Sequence, residues 1–309
     1  GREQALPGDG EADDGALPPA APSPDEMVLA PAEPPPPPPA PVDLPPPPPA
    51  DAPPLSWIDH AERLAGLDAG DAARKALAHA LDGCALLMEA GTDDAVDDIL
   101  GRALRLGVTL PAPAALARAR ALLGRQREVH GDVEGAHGHY LTALDLFEGL
   151  GDRAGVAAVC DLLAILHVRL DDSEGAETYW RYALSLVTAL EDRAEEARLL
   201  GRLGTVAFYR EDWHAADELL REALVLEEGL DNRAQAAQLA ADLARLEEAR
   251  GDLPAALEYW LRVQRFLTED AADTPHPSPL AQTCAAALAR LEDALTAPDT
   301  PATPSTGLD

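Results

Sequence analysis

The histidines of HGDVEGAHGHY, residues 130–140, are of a type and crowding that could support metal chemistry. On a helix, however, His137 and His139 stand about 200° apart around the axis, so they and His130 cannot share an ion in ordinary tetrahedral geometry. His167 falls among apolar helix-facing residues and reads as a hydrogen-bonded core side chain. The neighbouring acids Asp93, Asp94, Asp97 and Asp98 could in principle act as an acid and base pair, but in so acidic a chain they read as a solvated helix face. Cys84, Cys160 and Cys284 are far apart and none lies in a C-x-x-C pair. Cys84 and Cys160 sit on apolar helical faces, the ordinary place for a small buried thiol, so reduced cysteines in a cytoplasmic protein are expected. No phosphate-cradling glycine loop, nucleophile elbow or H-E-x-x-H pair is present. The expectation is a non-enzymatic protein with no catalytic residue, no cofactor and no metal.

Charge narrows the partners. Acidic residues outnumber basic ones 55 to 24, a formal charge of −31, which repels both nucleic-acid phosphates and anionic lipid. No apolar run reaches the length of about 18 residues that a membrane span needs. The sequence opens at Gly1 with no charged start followed by an apolar core, so no secretory signal is read, and the native start is left open.

Residues 1–54 hold most of the prolines and ten acidic residues against the single Arg2. Such a segment cannot bury enough apolar surface to offset ordering and is expected to be a disordered arm with stiff polyproline stretches. It reads as a spacer, or as a ligand for a proline-binding groove, or as an acidic segment that folds back on the rest of the chain. Residues 55–70 contain a short amphipathic helix, with Ser56 and Asp59 as its expected cap, which reads as a capping helix on the first repeat or as a motif offered to a partner at the end of the arm. The tail at 297–309 is expected to be disordered.

Between these ends a period of 40 residues runs through the chain. Ala176, Trp180 and Ala183 have counterparts in Ala136, Tyr140 and Ala143, in Ala216, Leu220 and Ala223, and in Ala256, Trp260 and Val263. Asp132, Asp172, Asp212 and Asp252 precede the second apolar run of each row, and GDRAG, EDRAE and DNRAQ open the first, which are places for helix N-caps. Each row is therefore two helices. A column of small residues, Cys84, Gly124, Ala164, Gly204 and Ala244, lets the pair approach closely, and the large residue between the alanines fills the space around the crossing.

These residues resemble the tetratricopeptide repeat, with Leu200, Leu203, Gly204, Ala216, Leu220 and Ala223 matching its pattern. Ala207 stands where an aromatic is usual, the final proline is missing, and the period is that of an extended-helix variant. The resemblance implies an all-α, right-handed superhelical solenoid of about five helical hairpins. The rows run 71–110 (degenerate), 111–150, 151–190, 191–230 and 231–270 within 71–276, and a capping helix lies in 277–296.

In this family the first helix of each repeat lines an inner groove for a protein or peptide partner. The matching positions place Arg118, Arg125, Ile165, Val168, Arg198, Thr205, Phe208, Tyr209 and Arg245 in that groove, with arginines around an apolar centre. The degenerate first row contributes Leu81, and the second groove position of later rows is Asp161, Gly201 or Ala241. Two readings follow: the arginines receive a partner segment that carries acidic and apolar residues, or they pair with neighbouring acids of the same chain. The family's carboxylate clamp is not expected, because the sole lysine and sole asparagine, Lys75 and Asn232, lie outside the groove. A scaffold or adaptor is the expected role, with a regulatory or sensory module of a larger protein as the alternative. The oligomeric state is left open.

Overall fold

The computed structural model describes residues 44–67, 69–91, 95–270 and 278–296. Most of the expected disordered arm, the tail from residue 297, and Asp93 and Asp94 lie outside the described residues. Among the described residues there are twelve helices and no strand: α1 (Pro54–Ala65), α2 (Gly70–Glu89), α3 (Val96–Thr109), α4 (Pro113–Val129), α5 (Val133–Leu150), α6 (Arg153–Arg169), α7 (Ser173–Ala189), α8 (Arg193–Tyr209), α9 (Trp213–Gly229), α10 (Arg233–Arg250), α11 (Leu253–Asp270) and α12 (Pro279–Thr296). The pairs α4/α5, α6/α7, α8/α9 and α10/α11 form antiparallel hairpins, and each hairpin stacks on the next. Buried apolar side chains form three clusters that follow one another along this stack.

Helix starts and stops are written locally. Asp132, Asp152, Asp172, Asp192, Asp212 and Asp252 each accept the backbone N–H three residues on, at 2.9–3.2 Å. These bonds satisfy donors that a helix N-terminus leaves unpaired. Asn232 departs from the capping expectation: it makes no side-chain cap bond, and its amide is spent instead on Glu227. Between α6 and α7 the chain needs only Leu170, Asp171 and Asp172 to reverse direction. Asp171 N–H donates to Val168 (3.0 Å) and Asp172 N–H to His167 (2.9 Å), the paired bonds of a Schellman ending. The left-handed residue of that ending is glycine at Gly91, Gly131, Gly151 and Gly251, but Asp171, Glu191, Glu211 and Asp231 occupy it elsewhere with φ of 55–60°.

The close crossing expected from the small-residue column is present. A Cβ added to Gly124 would lie 2.4 Å from the Tyr140 ring, and one added to Gly204 would lie 2.7 Å from Leu220. The large residue of the second helix thus seats directly on the gap in the first. Ala136, Ala143, Ala176, Ala183, Ala216 and Ala223 are fully buried beside it.

The N-terminal end is built differently. α2 packs more extensively on α1 than on α3, so the helix read as a mere cap supplies half of the first tight hairpin. The cause is Gly83, where an added Cβ would lie 2.4 Å from Pro54 of α1. Ser56 and Asp59 do not cap α1, which has Pro54 at its first position and no side-chain cap bond. Proline presets the φ of a first helical residue and forfeits only an N–H that would be unpaired there anyway. Asp59 and Glu62 instead bind Arg102 of α3, at 2.5 Å each.

Candidate functional site

The predicted groove residues fall on α4, α6, α8 and α10, the first helices of the four regular hairpins. Their i, i+3, i+4 and i+7 spacing puts them along one face of each helix. Leu81, Gly201, Ala241 and Asp161 depart from expectation, because all four are buried rather than available to a guest. At these sites neighbouring helices approach too closely to leave room.

Apolar side chains remain accessible in the middle of this face. Tyr209 is 80% exposed and Val168 42%, with Ile165 and Phe208 half-buried beside them. Phe208 meets Tyr209 and Trp213 edge to face, with ring centroids 5.6 and 5.5 Å apart, a favourable aromatic arrangement. Thr205 is half-buried and donates its hydroxyl to Gly201 O of its own helix at 2.9 Å.

Three of the four predicted arginines are already engaged. Arg118 pairs with Asp82, Arg245 with Asp242 at 2.7 Å, and Arg198 with Glu195 and with Asp161 Oδ2, the latter at 2.8 Å. Arg125 is half-buried near Tyr140. The arrangement favours the reading in which groove arginines pair with resident acids.

The resident acids are themselves held. Asp161, only 7% exposed, accepts from Trp180 Nε1 at 2.8 Å and from Arg198 and Arg202 at 2.8 and 2.6 Å. Two guanidiniums compensate a carboxylate that burial alone would penalise. Arg202 also lies 5.8 Å from the centre of the Trp180 ring. Burial works against the charge of Arg198, yet Glu195 and Asp161 hold its pKa above the ordinary arginine value. The same device recurs at Tyr140, whose hydroxyl donates to Glu128 Oε2 at 2.8 Å while Arg169 meets Glu128 Oε1 at 2.7 Å. It appears again at Trp260, whose Nε1 donates to Glu248 at 2.7 Å while Arg290 binds the other oxygen at 2.5 Å. Burial, then the bond to Glu128, pushes the Tyr140 phenol well up and keeps it a neutral donor. Composition did not reveal these triads. The available signal was an acid on the first helix followed 12 or 19 residues later by a tyrosine or tryptophan.

His167 is hydrogen-bonded, as expected, through Nδ1 to Asp172 Oδ2 at 2.8 Å, but it is half-buried rather than in the core, with its ring tilted against Tyr179. Asp172 therefore both caps α7 and orients this ring; its pKa is lowered by the Gly175 N–H and then by His167. Among the described residues no group of three or more histidine, cysteine or carboxylate side chains could hold a metal ion. All three cysteines are free and buried. Burial pushes the Cys84 and Cys160 thiols up to about 11 and about 12. No helix among the described residues is long and apolar enough to cross a membrane.

No family model and no curated protein matches the sequence. Solved structures do resemble the fold. BtubC (BKLC) from P. vanneervenii is 23% identical with a TM-score of 0.63, the match covering 73% of this chain and 92% of that one. A Signal Transduction ATPase with Numerous Domains protein with a tetratricopeptide repeat sensor, from Pyrococcus horikoshii, is 17% identical with a TM-score of 0.59, covering 80% of this chain and 39% of that one. The APC/C hetero-tetramer Cut9–Hcn1 is 14% identical with a TM-score of 0.50, over 77% and 43%. The chain has a tetratricopeptide-like solenoid fold.

Proposed function

We infer that the chain is a non-enzymatic scaffold or adaptor of the cytoplasm that holds a segment of a protein partner against the inner face of α6, α8 and α10. The observation that carries this reading is the accessible apolar group of Val168 and Tyr209 with half-buried Ile165 and Phe208, on the face whose arginines are largely neutralised from within. Exposed aromatic side chains beside small ones supply large contact area at little entropic cost. Apolar anchors on the partner would bind here first. An acidic residue would find Arg125 available, whereas Arg118, Arg198 and Arg245 would first have to leave their carboxylates.

The test begins with affinity capture of a partner from the native host, followed by calorimetry on single variants. Tyr209→Asp and Val168→Asp should each weaken binding roughly tenfold or more, while Val225→Asp, at an exposed site on α9, should change nothing. Equal affinities for all three variants would remove the reading. The alternative, a regulatory or sensory module within a larger protein, is supported by the likeness to a protein whose described part is a tetratricopeptide repeat sensor. A longer reading frame continuous with Gly1 and encoding a signalling domain would favour it.

A further inference from the structure

The aromatic, carboxylate and arginine triad ties neighbouring first helices at three joints. It links α4 to α6 through Glu128 and Arg169, α6 to α8 through Asp161 and Arg202, and α10 to α12 through Glu248 and Arg290. Two joints lack the triad: α2 and α4 are tied instead by Arg118 and Asp82, while between α8 and α10 the same three columns hold Leu220, Gly201 and Phe208. Leu220 has no polar hydrogen to give, and neither Gly201 nor Phe208 offers a carboxylate, so the triad cannot form. In its place Gly201 admits Leu239, so near that an added Cβ would lie 2.9 Å from the leucine methyl. A charge-assisted hydrogen bond fixes both separation and direction, whereas apolar contact is non-directional and tolerates sliding.

The opposite side of this boundary is tied. Arg262 of α11 binds Glu228 of α9 at 3.1 Å, and Arg221 of α9 reaches Glu247 of α10 at 3.5 Å. One side is therefore held by ion pairs while the inner side rests on apolar contact. That is the construction of a hinge, in which a few residues absorb the displacement and the packed units on either side keep their own geometry.

We propose that the α8/α10 joint is the hinge of the solenoid, with Leu220, Gly201 and Phe208 as the substitutions that leave it unlatched. The hairpins α4–α9 move as one body and α10–α12 as another, and the ion pairs of Arg262 and Arg221 form the pivot. The hinge does not depend on the inner face being a binding surface. Arg250 already stands 42 residues beyond position 208, the spacing of Arg290 from Glu248, so the missing latch can be completed from one side.

Spin-label distance measurements test this. Ala114, Ala154, Ala194 and Ala234 are exposed and occupy one column of the repeat, and the native cysteines are buried. Labels at Ala114→Cys with Ala194→Cys span only latched joints, and labels at Ala154→Cys with Ala234→Cys span one latched joint and the hinge. The second pair should give the broader distance distribution, and Leu220→Trp with Phe208→Glu should narrow it towards the first. Glu128→Leu, which removes a latch, should broaden the first pair. Equal widths in the unaltered protein would overturn the proposal. So would an unchanged second pair in a double variant of native helicity, or an unchanged first pair in Glu128→Leu.

Discussion

The eight helices α4–α11 and the three helices α1–α3 both close over glycine, and they cover it from opposite directions. At the crossing column of the periodic stretch the lid comes from the helix that follows, as Tyr140 seats on Gly124 and Leu220 on Gly204, whereas Gly155, outside that column, is covered by Phe147 of the helix before it. At the N-terminal end Pro54 of the preceding helix covers Gly83, and α3 is drawn in by Arg102 reaching Asp59 and Glu62. Register alone reveals which residue must be small. Which helix fills the gap is decided by packing, and at a chain end an extra helix can take the position that a repeat would otherwise fill.

The largest effect should come from filling the gaps. Gly124→Val would drive its first added carbon into the Tyr140 ring, and overpacking of this kind should cost about 3 kcal/mol in urea unfolding. Gly83→Val meets Pro54 at an equally short 2.4 Å, yet it should release α1, changing Trp57 fluorescence while the main urea midpoint holds. A full loss of stability from both would show that the two regions unfold as one unit.

Next come the polar supports. Trp180→Phe leaves Asp161 buried and short of one donor, which should cost about 2 kcal/mol. Tyr140→Phe should cost about 1 kcal/mol, because Glu128 is less deeply buried than Asp161. Equal losses in urea unfolding would mean that burial does not rank the triads.

Acid should separate the regions further. His60 is 3% exposed, and burial followed by the charge of Arg63 lowers its pKa. A histidine with a depressed folded pKa contributes stability that is fully present above its unfolded value, near 6.5, and is lost as pH falls towards the folded value. Trp57 fluorescence should therefore report loosening of α1 below that pH while far-ultraviolet circular dichroism is retained. In His60→Leu the fluorescence change should disappear; its persistence would assign it to another group.

The smallest effects lie at the helix endings. Asp171→Gly, Glu191→Gly, Glu211→Gly and Asp231→Gly should each relieve a left-handed backbone and gain about 0.5–1 kcal/mol. Gly151→Ala should lose a similar amount. A gain from both kinds of change in thermal unfolding would contradict the account of these turns.

Much of the periodic stretch was legible because its determinants are local. An aspartate before an apolar run is a cap wherever it stands, and a glycine or alanine column with a bulky residue two alanines away implies a close crossing. The first hairpin was not legible, since the contact of Pro54 with Gly83 belongs to no period. The spacing of the proposed groove residues along one helix face was legible, and of the two readings of its arginines the structure favours pairing with resident acids. The sequence left open whether its arginines meet a guest or resident acids, because the field of an arginine such as Arg198 or Arg169 depends on a partner, Asp161 or Glu128, that pairs across helices and is positioned by Trp180 or Tyr140. Asn232 failed as a cap because Glu227, five positions back in the last turn of α9, takes its amide.

The paired bonds at each turn carry a consequence for chain length. Because every helix between α6 and α10 brings its own left-handed stop and the next brings its own first-turn acceptor or polar neighbour, no hairpin relies on a distant segment to end it. Excising or duplicating one whole row of 40 residues would leave each surviving helix with its original boundaries, so the molecule's reach could be lengthened or shortened in fixed increments without redesigning a single turn.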